Sequence, residues 1–168
     1  LVTSLYNLTC EALLSPNFAV LGTGRSEISN DAFRQSMASE DNGLRAFHTR
    51  NEFDETACEE LLSRFYFEPA NIDPEGFSKL RETVAKLDEK YQAGGNILFY
   101  FAMAPRFFGT LCENLYKAGF QEGSGWKRII VEKPFGTNLQ SALALNDEIL
   151  QYWKEEHSDL LHIISRNL

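Results

Sequence analysis

Three stretches of this chain are built on apolar runs without alternation: Phe18-Ala19-Val20-Leu21-Gly22, Asn96-Ile97-Leu98-Phe99-Tyr100-Phe101-Ala102-Met103 and Lys127-Arg128-Ile129-Ile130-Val131-Glu132. A strand with one wet face alternates apolar and polar residues, so unbroken runs predict strands buried on both faces, the habit of a parallel sheet. Parallel strands need long crossovers, and helical patterns of ten or more residues lie between these runs. Together they predict an α/β chain with the three strands as parallel neighbours in one sheet, the Asn96–Met103 strand central: a Rossmann-like doubly wound parallel sheet with helices on both faces.

The helices carry their own punctuation. Leu1, Leu5, Leu8 and Ala12 share one face, and the pattern ends at Leu13-Leu14-Ser15-Pro16 because a residue before proline leaves the α region. Ser29 opens a helix with Phe33 and Met37 inward, Asp41-Asn42-Gly43 breaks the pattern, and Asp54 caps a short helix carrying Ala57, Leu61 and Leu62. Asp73-Pro74 is a cap followed by a first-position proline, and Phe77, Leu80, Val84 and Leu87 mark the buried face of that helix until Gly94-Gly95. A further helix runs from about Pro105 to Lys117 and ends at Gly119. Thr137 and Gln140 form a capping box for one reaching about Glu155, and Leu160 to Ile164 reads as a last strand.

Composition narrows the functions. At 168 residues the chain is one domain by length, able to bury about two-thirds of its unfolded surface. A net charge of −8 argues against a general field for nucleic acid or anionic membrane, and leaves room for a local basic pocket that takes a small anion. Cys10, Cys58 and Cys112 are odd in number and far apart, which predicts reduced core thiols. His48, His157 and His162 have no metal-ligand spacing, so no metal is expected; the tail Glu155-Glu156-His157-Ser158-Asp159-Leu160-Leu161-His162 offers a base and a carboxylate partner, or simply a charged helix end. No apolar run reaches the roughly 18 residues of a membrane span, and no signal core follows a basic stretch, so cytoplasm is the expectation. The chain begins at Leu1, already in a helical pattern, which predicts further sequence upstream.

Ligands of such sheets sit at the carboxyl ends of the strands, which singles out three loops. In Gly22-Thr23-Gly24-Arg25-Ser26 the glycines allow close backbone approach and Arg25 offers a planar fork to a nucleotide 2′-phosphate; a plain strand exit with a solvated arginine is the other reading. Ala104-Pro105 reads as a helix start. In Lys133-Pro134-Phe135-Gly136 a lysine stands on restricted backbone at a strand end, where it either meets an anion or is a surface turn lysine.

The stretch from Arg128 to Ala142, RIIVEKPFGTNLQSA, closely resembles the signature of glucose-6-phosphate dehydrogenases. Pro16 to Ser26 resembles the family's second strand with its arginine, Asn96 to Pro105 its hydrophobic strand ending in proline, and Gly125-Trp126-Lys127-Arg128 its lead-in to the lysine strand. The resemblance implies a coenzyme domain whose parent oxidises glucose 6-phosphate to 6-phosphogluconolactone with NADP as acceptor, the first step of the oxidative pentose phosphate pathway. By position, Gly24, Arg25, Ser26, Pro105, Phe108 and Lys133 would face the cofactor. Lys133 would also meet the substrate, with Pro134 in a cis peptide and Glu132 and Gly136 shaping the turn.

Four departures accompany it. The family's pyrophosphate turn, of the form GxxGDL, should precede Leu1. Ala104-Pro105 replaces a doubled proline, Phe108 stands for a tyrosine, and Asp159 to Leu168 does not match the expected RIDHYLGKE. The catalytic histidine and aspartate are implied to lie in a large α+β domain outside this chain, through which the parent would form a homo-oligomer, and the 168-residue piece alone is expected to be inactive. The alternative is a non-catalytic, degenerate Rossmann module kept for NADP sensing or partner binding.

Overall fold

The computed structural model describes residues 1–47, 52–132, 139–153 and 162–164. The chain divides into two compact units, Leu1–Ala70 with Lys86–Ala93 and Asn71–Ala85 with Gly94–Leu168.

The first unit contains α1 (Val2–Cys10), β1 (Val20–Gly24), α2 (Asn30–Ala38), α3 (Leu44–Phe47), α4 (Glu55–Ser63) and β2 (Phe65–Pro69). Its starts are written in the sequence. The Ser29 hydroxyl accepts from the Ala32 amide at 3.1 Å and the Asp54 carboxylate from the Ala57 amide at 3.0 Å, so each satisfies one donor that a first helical turn leaves over. Ala57, Cys58, Leu61 and Leu62 form the buried stripe of α4 and close with Tyr6, Leu44 and Phe65 into this unit's core. The Tyr6 hydroxyl, buried there, accepts from the Asp54 amide at 2.7 Å, tying α1 to the cap of α4. β1 and β2 run parallel, with Val20 opposite Phe65 and Gly24 opposite Pro69.

Helix α5 (Pro74–Tyr91) begins as its cap predicts: the Asp73 carboxylate accepts from the Gly76 amide at 2.7 Å. The second unit continues with β3 (Ile97–Phe101), a 3-10 turn at Pro105–Phe107, α6 (Phe108–Lys117), β4 (Lys127–Glu132), α7 (Leu139–Tyr152) and β5 (His162–Ile164). Its sheet has the order β3-β4-β5, parallel throughout, with Ile97 opposite Lys127 and Ile130 opposite His162. Side chains on one face of this sheet are buried. Phe99 meets the rings of Phe120 and Trp153, each at 5.5 Å, Phe101 meets Phe108 at 5.5 Å, and Ile129 and Val131 are 3% and 0% exposed. The Trp153 indole N–H donates to the Cys112 carbonyl at 3.3 Å, joining the end of α7 to α6.

The parallel α/β class holds, and several details differ from the reading of the sequence. β1 pairs with β2 in a sheet separate from β3-β4-β5, and β2 was not foreseen. The middle strand of the second sheet is β4 rather than β3, whose Leu98 is 49% exposed, so that run is not buried on both faces. Helix α1 stops at Cys10, with Ala12 at φ +52, before the apolar pattern ends. Cys58 and Cys112 are buried free thiols, whereas Cys10 is exposed and not a core residue. Burial pushes the Cys112 thiol up to about 12. Thr137 and Glu155 lie outside the described residues. Among the described residues, no helix is long and apolar enough to cross a membrane.

Candidate functional site

In the first unit the candidate residues stand where β1 ends. Gly22 is required by packing, because a Cβ there would lie 2.5 Å from the Phe33 ring of α2. Phe33 in turn packs against Phe65 and Phe67 of β2 at 6.1 and 5.2 Å, so α2 is seated directly over the strand pair. Gly24 differs: a Cβ would meet Phe67 at an ordinary 3.6 Å, and the fold itself does not demand glycine there. The Gly24 carbonyl accepts from the Ala70 amide at 2.9 Å, holding the ends of β1 and β2 level.

Arg25 and Ser26 follow, both exposed. Among the described residues the Arg25 guanidinium makes no hydrogen bond or ion pair. The chain then turns into α2, where Ser29 caps the helix and the Asn30 side chain accepts from the Phe67 amide at 2.7 Å. That bond fixes the amino terminus of α2 beside the middle of β2. A helix amino terminus carries partial positive charge and spare N–H donors, and together with the exposed guanidinium on the same loop it suits an anion.

In the second unit β3 and β4 are in register up to Phe101 and Val131. From Phe101 the chain reaches Ala104, whose carbonyl accepts from the Phe107 amide at 3.0 Å, with Pro105 at the first position of the turn. Phe108, 1% exposed, is buried against Phe101. The backbone of Glu132 closes β4, while Lys133, Pro134 and Gly136 lie outside the described residues, as do His48 and His157. His162 opens β5. Among the described residues no group of three His, Cys, Asp or Glu side chains is placed to hold a metal ion.

Sequence reasoning missed what fastens the other end of this sheet. Lys127 is 6% exposed, and its ammonium donates to the carbonyls of Gly95, Ser124 and Gly125 at 2.7, 2.9 and 3.2 Å. The glycines are the available signal: Gly95 and Gly125 adopt φ of +76 and +86, and a Cβ on Gly125 would lie 2.4 Å from the Gly95 carbonyl carbon. A cleft of about 170 Å³ in the first unit, lined by Thr9, Leu14, Pro16, Phe18, Leu61 and Arg64, contains none of the expected residues.

Parallel strands joined by helical crossovers, with a glycine-arginine exit leading to a capped helix, define a Rossmann-like α/β dinucleotide-binding fold. Residues 1–158 match the family model of the glucose-6-phosphate dehydrogenase NAD-binding domain. The chain is 40% identical over 157 residues to the glucose-6-phosphate 1-dehydrogenase of Streptococcus pneumoniae, covering 93% of this chain and 30% of that protein. It is 34% identical over 157 residues to that of Bacillus subtilis, with the same coverage. A solved glucose-6-phosphate dehydrogenase in complex with its substrate glucose 6-phosphate superposes with a TM-score of 0.78 at 25% identity, covering 99% of this chain and 32% of that one. This chain therefore belongs to the glucose-6-phosphate dehydrogenase family, and it spans about 30% of the length of the curated relatives it matches.

Proposed function

We propose that this chain is the dinucleotide-binding part of an NADP-dependent glucose-6-phosphate dehydrogenase, whose parent oxidises glucose 6-phosphate to 6-phosphogluconolactone at the entry to the oxidative pentose phosphate pathway, in the cytoplasm. The observation that carries the reading is Arg25, a guanidinium with no partner among the described residues at the carboxyl end of a parallel strand, one short loop from a capped helix amino terminus. A planar fork of this kind takes a 2′-phosphate through two parallel N–H···O bonds, and an NAD ribose offers it nothing comparable. Gly24 and Ser26 flank it, Gly24 leaving bare backbone for the ligand to approach.

The cofactor supplies the hydride acceptor. Lys133 meets the nicotinamide and hydrogen-bonds the sugar near the carbon that is oxidised, holding it in place, with Glu132, Pro134 and Gly136 shaping its turn, while the turn carrying Pro105 and Phe108 faces the cofactor. The proton passes to a histidine paired with an aspartate in a substrate domain on the parent's remaining length, and copies of the parent associate through that domain.

Binding measured on the full-length parent tests the reading directly. Arg25→Ala should weaken NADP binding roughly tenfold to a hundredfold and leave NAD binding unchanged, as expected for loss of one charge-assisted contact. Equal losses for both cofactors would overturn the assignment. Lys133→Ala should lower kcat with glucose 6-phosphate on the order of 10² while leaving the fold intact, and Lys133→Arg should restore little. A parent that binds NADP and never turns over glucose 6-phosphate would instead be a non-catalytic module.

A further inference from the structure

The amino end of β2 carries a second set of chemistry, on the opposite end of the β1–β2 pair from Arg25. Tyr66 lies opposite Leu21, four residues before Arg25, which is roughly 13 Å along the strand at about 3.3 Å per residue. The Tyr66 hydroxyl receives a hydrogen bond from the Lys90 ammonium at 2.7 Å and shares another with the Tyr91 hydroxyl at 2.9 Å. An ammonium can only donate, so the Tyr66 oxygen accepts from Lys90 and is placed to accept from Tyr91 as well.

Cations surround this pair of rings. The Arg34 guanidinium lies 5.3 Å from the Tyr66 ring centre, held by the Phe65 carbonyl at 2.9 Å and by Asp31 at 3.2 Å. Lys90 lies 5.1 Å from the Tyr66 centre and 5.3 Å from that of Tyr91, and Arg64 lies 5.6 Å from Tyr91 while bonding the Pro16 carbonyl at 2.6 Å. Among the described residues no carboxylate pairs with Lys90 or Arg64. A negative charge on the Tyr66 oxygen is therefore stabilised from β2's own neighbours on α2 and α5, in a chain whose net charge is −8.

We propose that Tyr66 is a nucleophilic tyrosine, a site of O-acylation by activated acyl donors such as acyl imidazoles and acyl phosphates. Burial acts to raise its phenol, but the hydrogen bonds from Lys90 and Tyr91 outweigh burial and hold it below its ordinary range, while burial and the bond to Tyr66 raise Tyr91. The bond to Tyr66 also raises Lys90, which keeps that side chain an ammonium and leaves the phenol oxygen as the nucleophile. In the step, the Tyr66 oxygen forms a bond to the acyl carbon and the bond from that carbon to the leaving group breaks. The leaving group departs with the electron pair and takes up the proton released by the phenol; nothing is oxidised or reduced.

N-acetylimidazole, used in less than stoichiometric amount at about pH 7.5, with peptide mass spectrometry of timed aliquots of the full chain, tests this. Tyr116 is the internal control, being 51% exposed. Tyr66 should acetylate about threefold to tenfold faster than Tyr116, the range for a charge-assisted contact near solvent. Lys90→Met should abolish that lead without altering the rate at Tyr116 or the circular dichroism, and Lys90→Arg should retain part of it. The proposal is overturned if Tyr116 reacts first, if Lys90→Met leaves the Tyr66 rate unchanged, or if acetyl groups collect on Lys90 and persist in Tyr66→Phe.

Discussion

Lys127 and Arg25 are both cations at the end of a parallel strand, and the structure treats them in opposite ways. Lys127 stands at the amino end of β4, nearly buried, with three backbone carbonyls around its ammonium. Arg25 stands past the carboxyl end of β1, exposed, with no partner among the described residues. A buried ammonium is tolerated only when its donors are satisfied, so Lys127 is committed to the fold and joins the Gly94-Gly95 turn to the 124–125 turn. An exposed guanidinium costs little to leave open and stays available to a ligand. The amino end of β4 is fastened, while the loop past the carboxyl end of β1 carries the residue proposed to bind.

Substitution can break that comparison. The largest effect should come from Lys127→Met, which keeps the stem and leaves three inward carbonyls without their donor. A loss of about 3 kcal/mol, or roughly 6–12 °C in Tm for a chain of this size, should appear in thermal unfolding, and an unchanged Tm would show that water replaces the ammonium freely. Next comes Gly125→Ala. Its φ of +86 and the 2.4 Å approach to the Gly95 carbonyl carbon should cost about 2 kcal/mol, read from the same melts, with Gly123→Ala milder because nothing lies within 4 Å of a Cβ there. The smallest effect on stability belongs to Arg25→Ala, within about 0.5 kcal/mol of the parent, even as NADP binding falls. A large loss of Tm in that variant would mean that Arg25, like Lys127, serves the fold.

Local chemistry made much of this architecture legible. Ser29, Asp54 and Asp73-Pro74 mark the starts of α2, α4 and α5 because each cap acts on the amide three residues away, and such a signal is complete within the sequence. β2 was hidden for the opposite reason. It follows α4 after Arg64 alone, without a turn signal, ends on Pro69, and becomes a strand only because β1 lies 45 residues earlier to pair with it. The roles of Lys127 and of the Tyr66 cluster were hidden likewise, since their partners come from other turns and helices. Near the candidate site, the exposed position of Arg25 at a strand exit was readable from the glycine-rich run before it. The different duties of Gly22 and Gly24 depend on Phe33 and Phe67, which only the folded chain brings near.

The join between Trp153 and the second sheet gives the molecule its own optical reporters. Trp153 is 4% exposed between Phe99 and the Cys112 carbonyl, and Trp126, the chain's other tryptophan, is 42% exposed. Their fluorescence is separable: a water-soluble quencher reaches Trp126 while Trp153 stays dark to it. A red shift confined to the shielded component then signals, without any label, that α7 has parted from the sheet beneath it.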